Sequence, residues 1–299
     1  MRALLLLALS PAIPATLRAQ ASIASDLWRV ATGTLVTPAA LASEGTAPLW
    51  TPAVVLAPGG PGLMLGAEAV HAPSEIGLNA GIVAFSWRLG GAGTISATYA
   101  WAGLSDIGYT ESSPEVVGSI AVDAQTASIG FARRLPGGLV AGAALRWLEG
   151  RQSGEAVAQP ALDLGARYSP NAHVELGVAS QFFDPIFRDA QQAASVSAGA
   201  SCRSSPFQAW GTPAVATIRY GLTVLRGEGP QHLLTVGLAA ANLTLDGGIV
   251  HEGIGNDQIW RSRLGLGVSV GRYRVAINRD GGVNGFGPTW AFGMTALFR

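Results

Sequence analysis

The sequence predicts an all-β fold, a transmembrane antiparallel β-barrel of about fourteen strands, and three observations lead to it. Large apolar and small residues alternate with period two along most of the chain after residue 62, which is typical of strands. Charged residues make up only 13% of the chain, against about 25% in soluble domains, and the mean hydropathy is +0.32. No apolar run reaches the roughly 20 residues that a membrane-spanning helix needs. A high apolar content without long apolar runs is expected when lipid-facing and lumen-facing residues alternate along each strand. It therefore favours a membrane barrel over the alternative, a secreted β-sandwich.

The first residues are typical of an export signal. Arg2 supplies a positive charge, an apolar run follows at 4–9, and Ala19-Gln20-Ala21 is a small-x-small cleavage site. We therefore expect residues 1–21 to be a signal peptide and the protein to reach the bacterial outer membrane.

Residues 22–61 differ from the rest of the chain. They show no sustained alternation and are rich in proline, which disfavours pairing in a sheet. They are also too apolar for a solvated tail, because side chains such as Trp50 would lose burial in water. A barrel of this size has room for them, since roughly eight strands fill with their own side chains and about sixteen leave a channel. We expect a hatch-like segment in the lumen with Trp50 and Pro52 as packing anchors. A periplasmic tail is the alternative, and simple packing explains Trp50 at least as well as gating.

From residue 62 to the end, which we assign to the barrel (62–299), the alternation predicts one strand per segment, each near the 9–11 residues that a tilted strand needs to cross a bilayer. The predicted strands are 62–71, 77–89, 93–104, 122–135, 138–150, 157–169, 173–183, 191–203, 212–226, 231–244, 247–253, 258–269, 271–280 and 286–298. With the N-terminus in the periplasm, short periplasmic turns are expected at 90–92, 136–137, 169–172, 246–247 and 271, with a longer exception at 204–211. The longest outer loop is expected at 105–121.

The last strand shows the alternation most clearly. Its large face is formed by Trp290, Phe292, Met294, Ala296 and Phe298, and we expect that face to contact lipid. Outer-membrane barrels usually end in such an aromatic-bearing strand, although Arg299 makes the aromatic residue penultimate here.

Charged residues mark a candidate lumen site. A charge on the lipid face costs about 2–4 kcal/mol at the bilayer midplane, so these side chains should point inward. Parity places eight arginines and two acids in the lumen: Arg134, Arg146, Arg167, Arg219, Arg261, Arg263, Arg272, Arg274, Asp163 and Glu175. The candidate ligand or lumen residues among them are Arg146, Arg219, Arg261, Arg263, Asp163 and Glu175. Two interpretations stay open, because the arginines can pair with acids and with carbonyls of the plug, or form a weakly anion-attracting constriction.

No pattern of an enzyme, metal site or cofactor site stands out. The four histidines, His71, His173, His232 and His251, fall near predicted strand ends, where an interfacial polar residue is the simplest interpretation. Cys202 is alone, which excludes an intramolecular disulfide, and we expect it to be buried or in the lumen. The balanced charge argues against a nucleic-acid partner. We expect a protein that is not an enzyme and binds no metal or cofactor, with an integral-membrane hydrolase as a minor alternative.

The layout resembles that of FadL/PorV-like outer-membrane barrels, of which this chain looks like a compact member. The residues that match best are Ala42 to Val54, similar to the family's segment ending in Asn-Pro-Ala, with Thr51 in place of the asparagine. A Gly-rich entry at 62–66 and the final hairpin at 272–298 are similar as well. The resemblance implies a fourteen-stranded barrel partly closed by an N-terminal segment. It also implies either passage of small hydrophobic molecules, our leading hypothesis, or a non-transporting barrel that docks a secretion or envelope partner. Outer-membrane lipid is a partner under both.

Overall fold

The computed structural model describes residues 35–57, 59–72, 77–109, 118–152, 155–183, 195–209, 211–225, 229–254, 257–282 and 287–299. Within these ranges the chain forms fifteen β-strands and three short 3₁₀ helices. The strands are β1 (Leu63–His71), β2 (Leu78–Arg88), β3 (Thr94–Tyr109), β4 (Gly118–Arg134), β5 (Leu139–Gln152), β6 (Glu155–Tyr168), β7 (Val174–Phe183), β8 (Ser195–Arg203), β9 (Phe207–Ala209), β10 (Thr212–Leu225), β11 (Gln231–Ala240), β12 (Leu243–Ile254), β13 (Asp257–Val270), β14 (Tyr273–Asp280) and β15 (Thr289–Phe298). The 3₁₀ helices are Ala39–Leu41, Ala47–Leu49 and Pro136–Gly138. In these ranges no helix is long and apolar enough to cross a membrane. The predicted signal peptide lies outside the described residues.

Fourteen of the strands form one closed antiparallel barrel, which confirms the predicted fold class. Neighbours in sequence pair with each other, and the barrel closes where β1 pairs with β15 in the register Leu63↔Phe298 to His71↔Trp290. The short β9 pairs only with the start of β10 and lies outside this ring. Each predicted segment overlaps one barrel strand, although β3, β4 and β12 extend beyond their predicted bounds. Alternation is a local signal that does not depend on the partner strand.

The outer face of the barrel is apolar, as the alternation predicts. Large side chains stand away from the wall on every barrel strand, and Leu145, for example, is 72% exposed. On β15 the predicted Trp290, Phe292 and Met294 are exposed, whereas Ala296 of the same face is buried and Leu297 of the other face is exposed. An apolar exterior around a closed barrel is suited only to a bilayer. The protein is therefore a barrel of the bacterial outer membrane.

The connections form two groups. One end of the barrel, here called the turn end, carries short reversals, and four of the predicted turns are confirmed there, at 90–92, 136–137, 169–172 and 271. The other end, here called the loop end, carries the longer connections. The expected longest loop at 105–121 is wrong, because β3 continues to Tyr109 and β4 begins at Gly118. Ladder pairing satisfies the backbone there, and the connection between β7 and β8 is longer.

The predicted turn at 246–247 is also wrong. The chain reverses at 241–242 instead, where Ala241 has a φ of 50°. Asp246 lies within β12, and its Oδ1 accepts a hydrogen bond from Nη1 of Arg219 at 2.7 Å. An ion pair across the lumen wall thus outweighs the local turn preference of Asp-Gly.

Two side chains do not point where the alternation suggested. Cys202 is exposed, in register with the outward Ile218, rather than buried or in the lumen. Arg272 lies in the turn between β13 and β14, with its guanidinium carbon 5.0 Å from the ring centroid of Tyr273 and 4.9 Å from that of Phe298. A turn residue is not bound by strand parity, and the cation–π contacts keep it at the membrane interface.

Residues 35–57, here called the inner segment, run through the lumen. Two of the 3₁₀ helices lie in it, and they pack against inward-facing residues of β2, β3, β6, β7, β8 and β10. Strand glycines allow this close approach. A Cβ at Gly66 would lie 2.1 Å from the carbonyl carbon of Gly45, and one at Gly142 would lie 2.2 Å from the carbonyl oxygen of Pro52. The inward strand glycines in close contact with the inner segment are Gly66, Gly142, Gly165, Gly177, Gly199, Gly221 and Gly265.

Candidate functional site: the lumen and its inner segment

One side of the lumen is apolar. Leu49, Trp50, Val54 and Leu56 of the inner segment belong to a single buried cluster with the barrel wall. The wall residues of this cluster include Met64, Val70, Leu78, Ala80, Ile82, Ala100, Ala102, Val122, Ala124 and Leu148. They come from β1 to β5, and together they form a continuous apolar column, here called the apolar wall. Such a lining is unusual for a barrel lumen, which in water-filled channels is polar.

Trp50 lies at the centre of that packing. Its side chain is only 2% exposed, and its indole Nε1 has no hydrogen-bond partner among the described residues. Thr51 follows it, fully buried, and its Oγ1 accepts a hydrogen bond from the amide of Ala53 at 3.3 Å. That local bond holds the turn through Pro52, which lies against Gly142 and Gly165.

The opposite side of the lumen holds the inner segment through arginines. Arg146 of β5 forms a buried ion pair with Asp163 of β6, with Nε 2.6 Å from Oδ2. Its Nη2 donates to the carbonyl oxygen of Leu49 at 2.8 Å. Gln181 of β7 donates to the same oxygen at 2.6 Å. A carbonyl with two donors, one of them charged, fixes the position of this turn of the inner segment.

A second arginine anchor lies on β13. Arg263, 2% exposed, places Nε 2.8 Å from Oδ2 of Asp280, and its Nη1 donates to the carbonyl oxygen of Leu35 at 2.8 Å. Arg261 contacts the same carboxylate at 3.0 Å and the Oε2 of Glu252 at 2.8 Å. Two arginines thus share two acids, so their charges are balanced inside the wall.

Three further predicted lumen arginines follow the same rule, whereas Arg134 is exposed at the turn end of β4. Arg219 pairs with Asp246, as described above. Arg167 places Nη2 3.0 Å from Oε1 of Glu175 and donates from the same nitrogen to the carbonyl oxygen of Leu41 at 2.8 Å. Arg274 reaches Glu44 of the inner segment, with Nη2 3.1 Å from Oε1.

Hydroxyl and carboxyl groups of the barrel add further bonds to the inner segment. The amide of Gly45 donates to Oγ1 of Thr295 at 2.9 Å. The amide of Leu56 donates to Oγ1 of Thr94 at 3.0 Å. The hydroxyl of Thr46 donates to Oε2 of Glu68 at 3.0 Å.

The predicted lumen residues are therefore spread over several strands rather than gathered around one empty centre. Arg146 with Asp163, Arg167 with Glu175, and Arg261 with Arg263 form separate clusters. The partners that sequence reasoning missed are Glu44, Glu68, Gln181, Asp246, Glu252 and Asp280. Parity gives the inward direction of such residues, but no sequence signal gives the carbonyls of the inner segment that complete each cluster.

The histidines lie away from the lumen clusters. His71 and His173 are exposed near strand ends. His232 and His251 stack on the outer face, with ring centroids 6.0 Å apart. Among the described residues no group of three or more histidine, cysteine, aspartate or glutamate side chains could hold a metal ion.

Comparison with known proteins gives a structural likeness only. No protein-family model and no curated protein matches the sequence. The fold is similar to that of the Ralstonia pickettii toluene transporter TbuX, with a TM-score of 0.54 and 12% identity over 85% of this chain and 94% of that one. It is similar to that of the P. putida toluene transporter TodX, with a TM-score of 0.50 and 12% identity over 87% of this chain and 94% of that one. CdiB from Acinetobacter baumannii has a TM-score of 0.47 at 9% identity, and the match covers 78% of this chain and 59% of CdiB. These likenesses concern the fold.

Proposed function

We propose that this barrel is a passive channel for small hydrophobic solutes and that residues 22–61 act as its hatch. The observation that carries the proposal is the apolar wall. A lumen that only conducts water and ions gains nothing from a column of buried alanine, valine, leucine and isoleucine, because polar lining serves that purpose better. The transfer of an apolar solute from water to such a surface, in contrast, is favourable.

The way the inner segment is held supports a hatch. Its polar contacts are made by backbone carbonyls and amides and by Glu44 and Thr46, while the side chains of Trp50 and Leu49 cover the apolar wall without directional bonds. A solute that competes for that wall replaces one apolar contact by another, so partial release of the segment costs little on that side. The barrel layout shared with the toluene transporters and the resemblance to FadL/PorV-like barrels agree with this proposal, and the solute class remains part of it.

Locking the inner segment tests the hatch directly. An ideal Cβ at Gly165 lies 2.8 Å from Oγ1 of Thr51, which is close enough for a disulfide between cysteines at the two positions. Thr51→Cys/Gly165→Cys is made in a Cys202→Ser background. Entry of the apolar dye N-phenylnaphthylamine is then followed in intact cells of a Gram-negative host whose outer leaflet slows such dyes. Oxidation should reduce dye entry to the level of cells without the protein, and a reductant should restore it.

Deletion of residues 26–56 provides the opposite change. It should leave a folded barrel whose conductance in planar bilayers is many-fold above that of the wild type. The single variant Thr51→Cys, oxidised in parallel, is the control for the lock. If oxidation of the double-cysteine variant leaves dye entry unchanged, the inner segment does not act as a hatch. Absence of dye entry in both the wild type and the deletion variant would favour the other class, a barrel that docks an envelope partner.

A further inference from the structure

A row of polar and aromatic side chains crosses the outer face at the loop end of four adjacent strands. Arg279 of β14 is in register with Trp290 of β15, Trp290 with His71 of β1, and His71 with Asn79 of β2. The guanidinium carbon of Arg279 lies 5.8 Å from the Trp290 ring centroid. Nδ1 of His71 lies 2.7 Å from Oδ1 of Asn79. These four residues are here called the headgroup row, because they lie where the strands leave the membrane.

Arg279 has no carboxylate partner among the described residues. This distinguishes it from Arg146, Arg219, Arg261 and Arg263, each of which pairs with an acid. Its stem lies on the outer face of β14 with its charge near the interface, and the indole of Trp290 on the next strand offers a further N–H donor. The row is therefore a cationic site for an anion outside the barrel.

An apolar groove of about 510 Å³ opens in the wall next to the headgroup row. It begins one outward position further along the strands, at Phe292 and Ala69, which is about 7 Å from the row. Small residues form its floor, among them Ala67, Ala69, Gly81 and Gly293. Its sides are formed by outward aromatic and apolar side chains, chiefly Tyr99, Trp101, Phe292 and Met294. We call this the wall groove.

The rest of the outer face offers a comparison. A similar row on β10 to β13 contains Tyr220, His232, His251 and Trp260, in which Nδ1 of His232 lies 2.7 Å from the hydroxyl of Tyr220. That row contains no arginine, and the next outward positions carry the large side chains of Leu234 and Ile249. A cation above a groove of small residues is thus a local feature of β14 to β3 rather than a general property of the exterior.

We propose that the headgroup row and the wall groove together bind one phosphorylated lipid of the membrane. Its phosphate lies at Arg279, and one of its acyl chains lies in the wall groove. The groove lies on the face that contacts lipid, so acyl chains surround it. The cation beside it selects a negative headgroup, because a charge-assisted bond to phosphate is about twice as strong as a neutral one.

A second copy of the chain fits this face less well. The described outward residues of β14, β15, β1, β2 and β3 include no acid, so a copy docked there would bring no counter-charge to Arg279. A like-charge contact would oppose that arrangement. Dimerisation is therefore kept as an outcome of the test.

The test uses the full-length barrel in detergent, stripped of bound lipid, and native mass spectrometry as the readout. Phosphatidylglycerol is compared with diacylglycerol that carries the same acyl chains. The wild type should retain phosphatidylglycerol in preference to diacylglycerol. Arg279→Gln should weaken phosphatidylglycerol retention by about tenfold and leave diacylglycerol unchanged.

Filling the wall groove tests the second half of the site. Ala69 is exposed on the outer face of β1 and lines the groove, so Ala69→Leu places a larger side chain in the groove. It should reduce retention of both lipids. Ala67→Leu fills the same groove from the same strand and serves if the first variant does not fold. Gly247→Leu is the matched control, because it adds a leucine to the outer face on the far side of the barrel, where a Cβ has room, with Leu264 at 3.9 Å.

Each result is decisive. Equal retention of the two lipids by the wild type, or unchanged retention by the groove-filling variants, would overturn the site. A concentration-dependent dimer that Ala69→Leu abolishes would assign the face to a second copy instead.

Discussion

On the β1 to β5 side of the lumen, side chains of the inner segment pack on the apolar wall, whereas on the β5 to β14 side its backbone carbonyls bind arginines. Arg88 of β2, which donates to the carbonyl oxygen of Ala57 at 2.6 Å, is the exception. Both sides bury the segment, but the physics differs. Apolar contact is non-directional and tolerates sliding or replacement by another apolar molecule. Arginine-to-carbonyl bonds fix both position and angle, and each leaves a buried charge if it is broken.

The difference suggests how a segment can be both held and releasable. Leu35, Leu41 and Leu49 present their carbonyls to arginines, so the backbone is registered against one side of the barrel. Their neighbour Trp50 covers the other side without a polar bond. If an apolar solute displaces part of the inner segment, we expect the displaced part to be the one around Trp50. The following predictions test this division, from the largest expected effect to the smallest.

Removing the arginine of the most buried ion pair should have the largest effect on stability. Arg146→Met leaves the Asp163 carboxylate without its charge partner inside the wall, which costs about 3–5 kcal/mol. The free energy of unfolding, measured by urea titration in lipid vesicles, should fall accordingly. Arg146→Met/Asp163→Leu should recover most of that loss, because replacing a whole buried pair by apolar residues is often close to neutral.

Arg151 provides the matched control on the same strand. It is exposed at the end of β5 beside Glu149, so Arg151→Met should leave the unfolding free energy nearly unchanged. An equal loss for Arg146→Met and Arg151→Met would mean that burial of the Arg146 pair does not stabilise the fold.

Crowding the inner segment on β1 should have a smaller effect. A Cβ at Gly66 meets the backbone of Gly45 at 2.1 Å, and no side-chain rotation can relieve that contact. Gly66→Val should cost about 1–3 kcal/mol and should displace the inner segment, seen as faster chymotrypsin cleavage after Trp50.

Gly247→Val is the control for crowding, since a side chain there has room on the outer face. It should leave the rate of cleavage after Trp50 at the wild-type value. If Gly66→Val also leaves that rate unchanged, the inner segment is not held against β1 in solution.

Loss of one neutral hydrogen bond should have the smallest effect. Thr94→Val removes the hydroxyl that accepts the amide of Leu56 at 3.0 Å, at a cost of about 1 kcal/mol. Hydrogen exchange at the Leu56 amide should accelerate. Thr98→Val, which removes a hydroxyl contact to Ser128 within the wall, should leave that amide protected. Comparable exchange of Leu56 in both variants would show that the Thr94 bond does not form.

The amino-acid sequence by itself determined the strands and their faces. Large and small residues alternate on each of the fourteen segments, and lipid outside forces charges such as Arg146 and Asp163 inward. These properties depend only on a residue and its near neighbours along the chain, so they can be read without knowing which strands pair.

Only the tertiary structure decided what each inward side chain meets. Asp246-Gly247 has the composition of a turn, yet Asp246 lies within β12 because Arg219 of β10, two strands away, binds its carboxylate. Arg146 and Arg263 reach the carbonyls of Leu49 and Leu35, which are 97 and 228 residues away along the chain. A backbone carbonyl has no residue type to mark it, and its place in the lumen exists only once the barrel has closed around the inner segment.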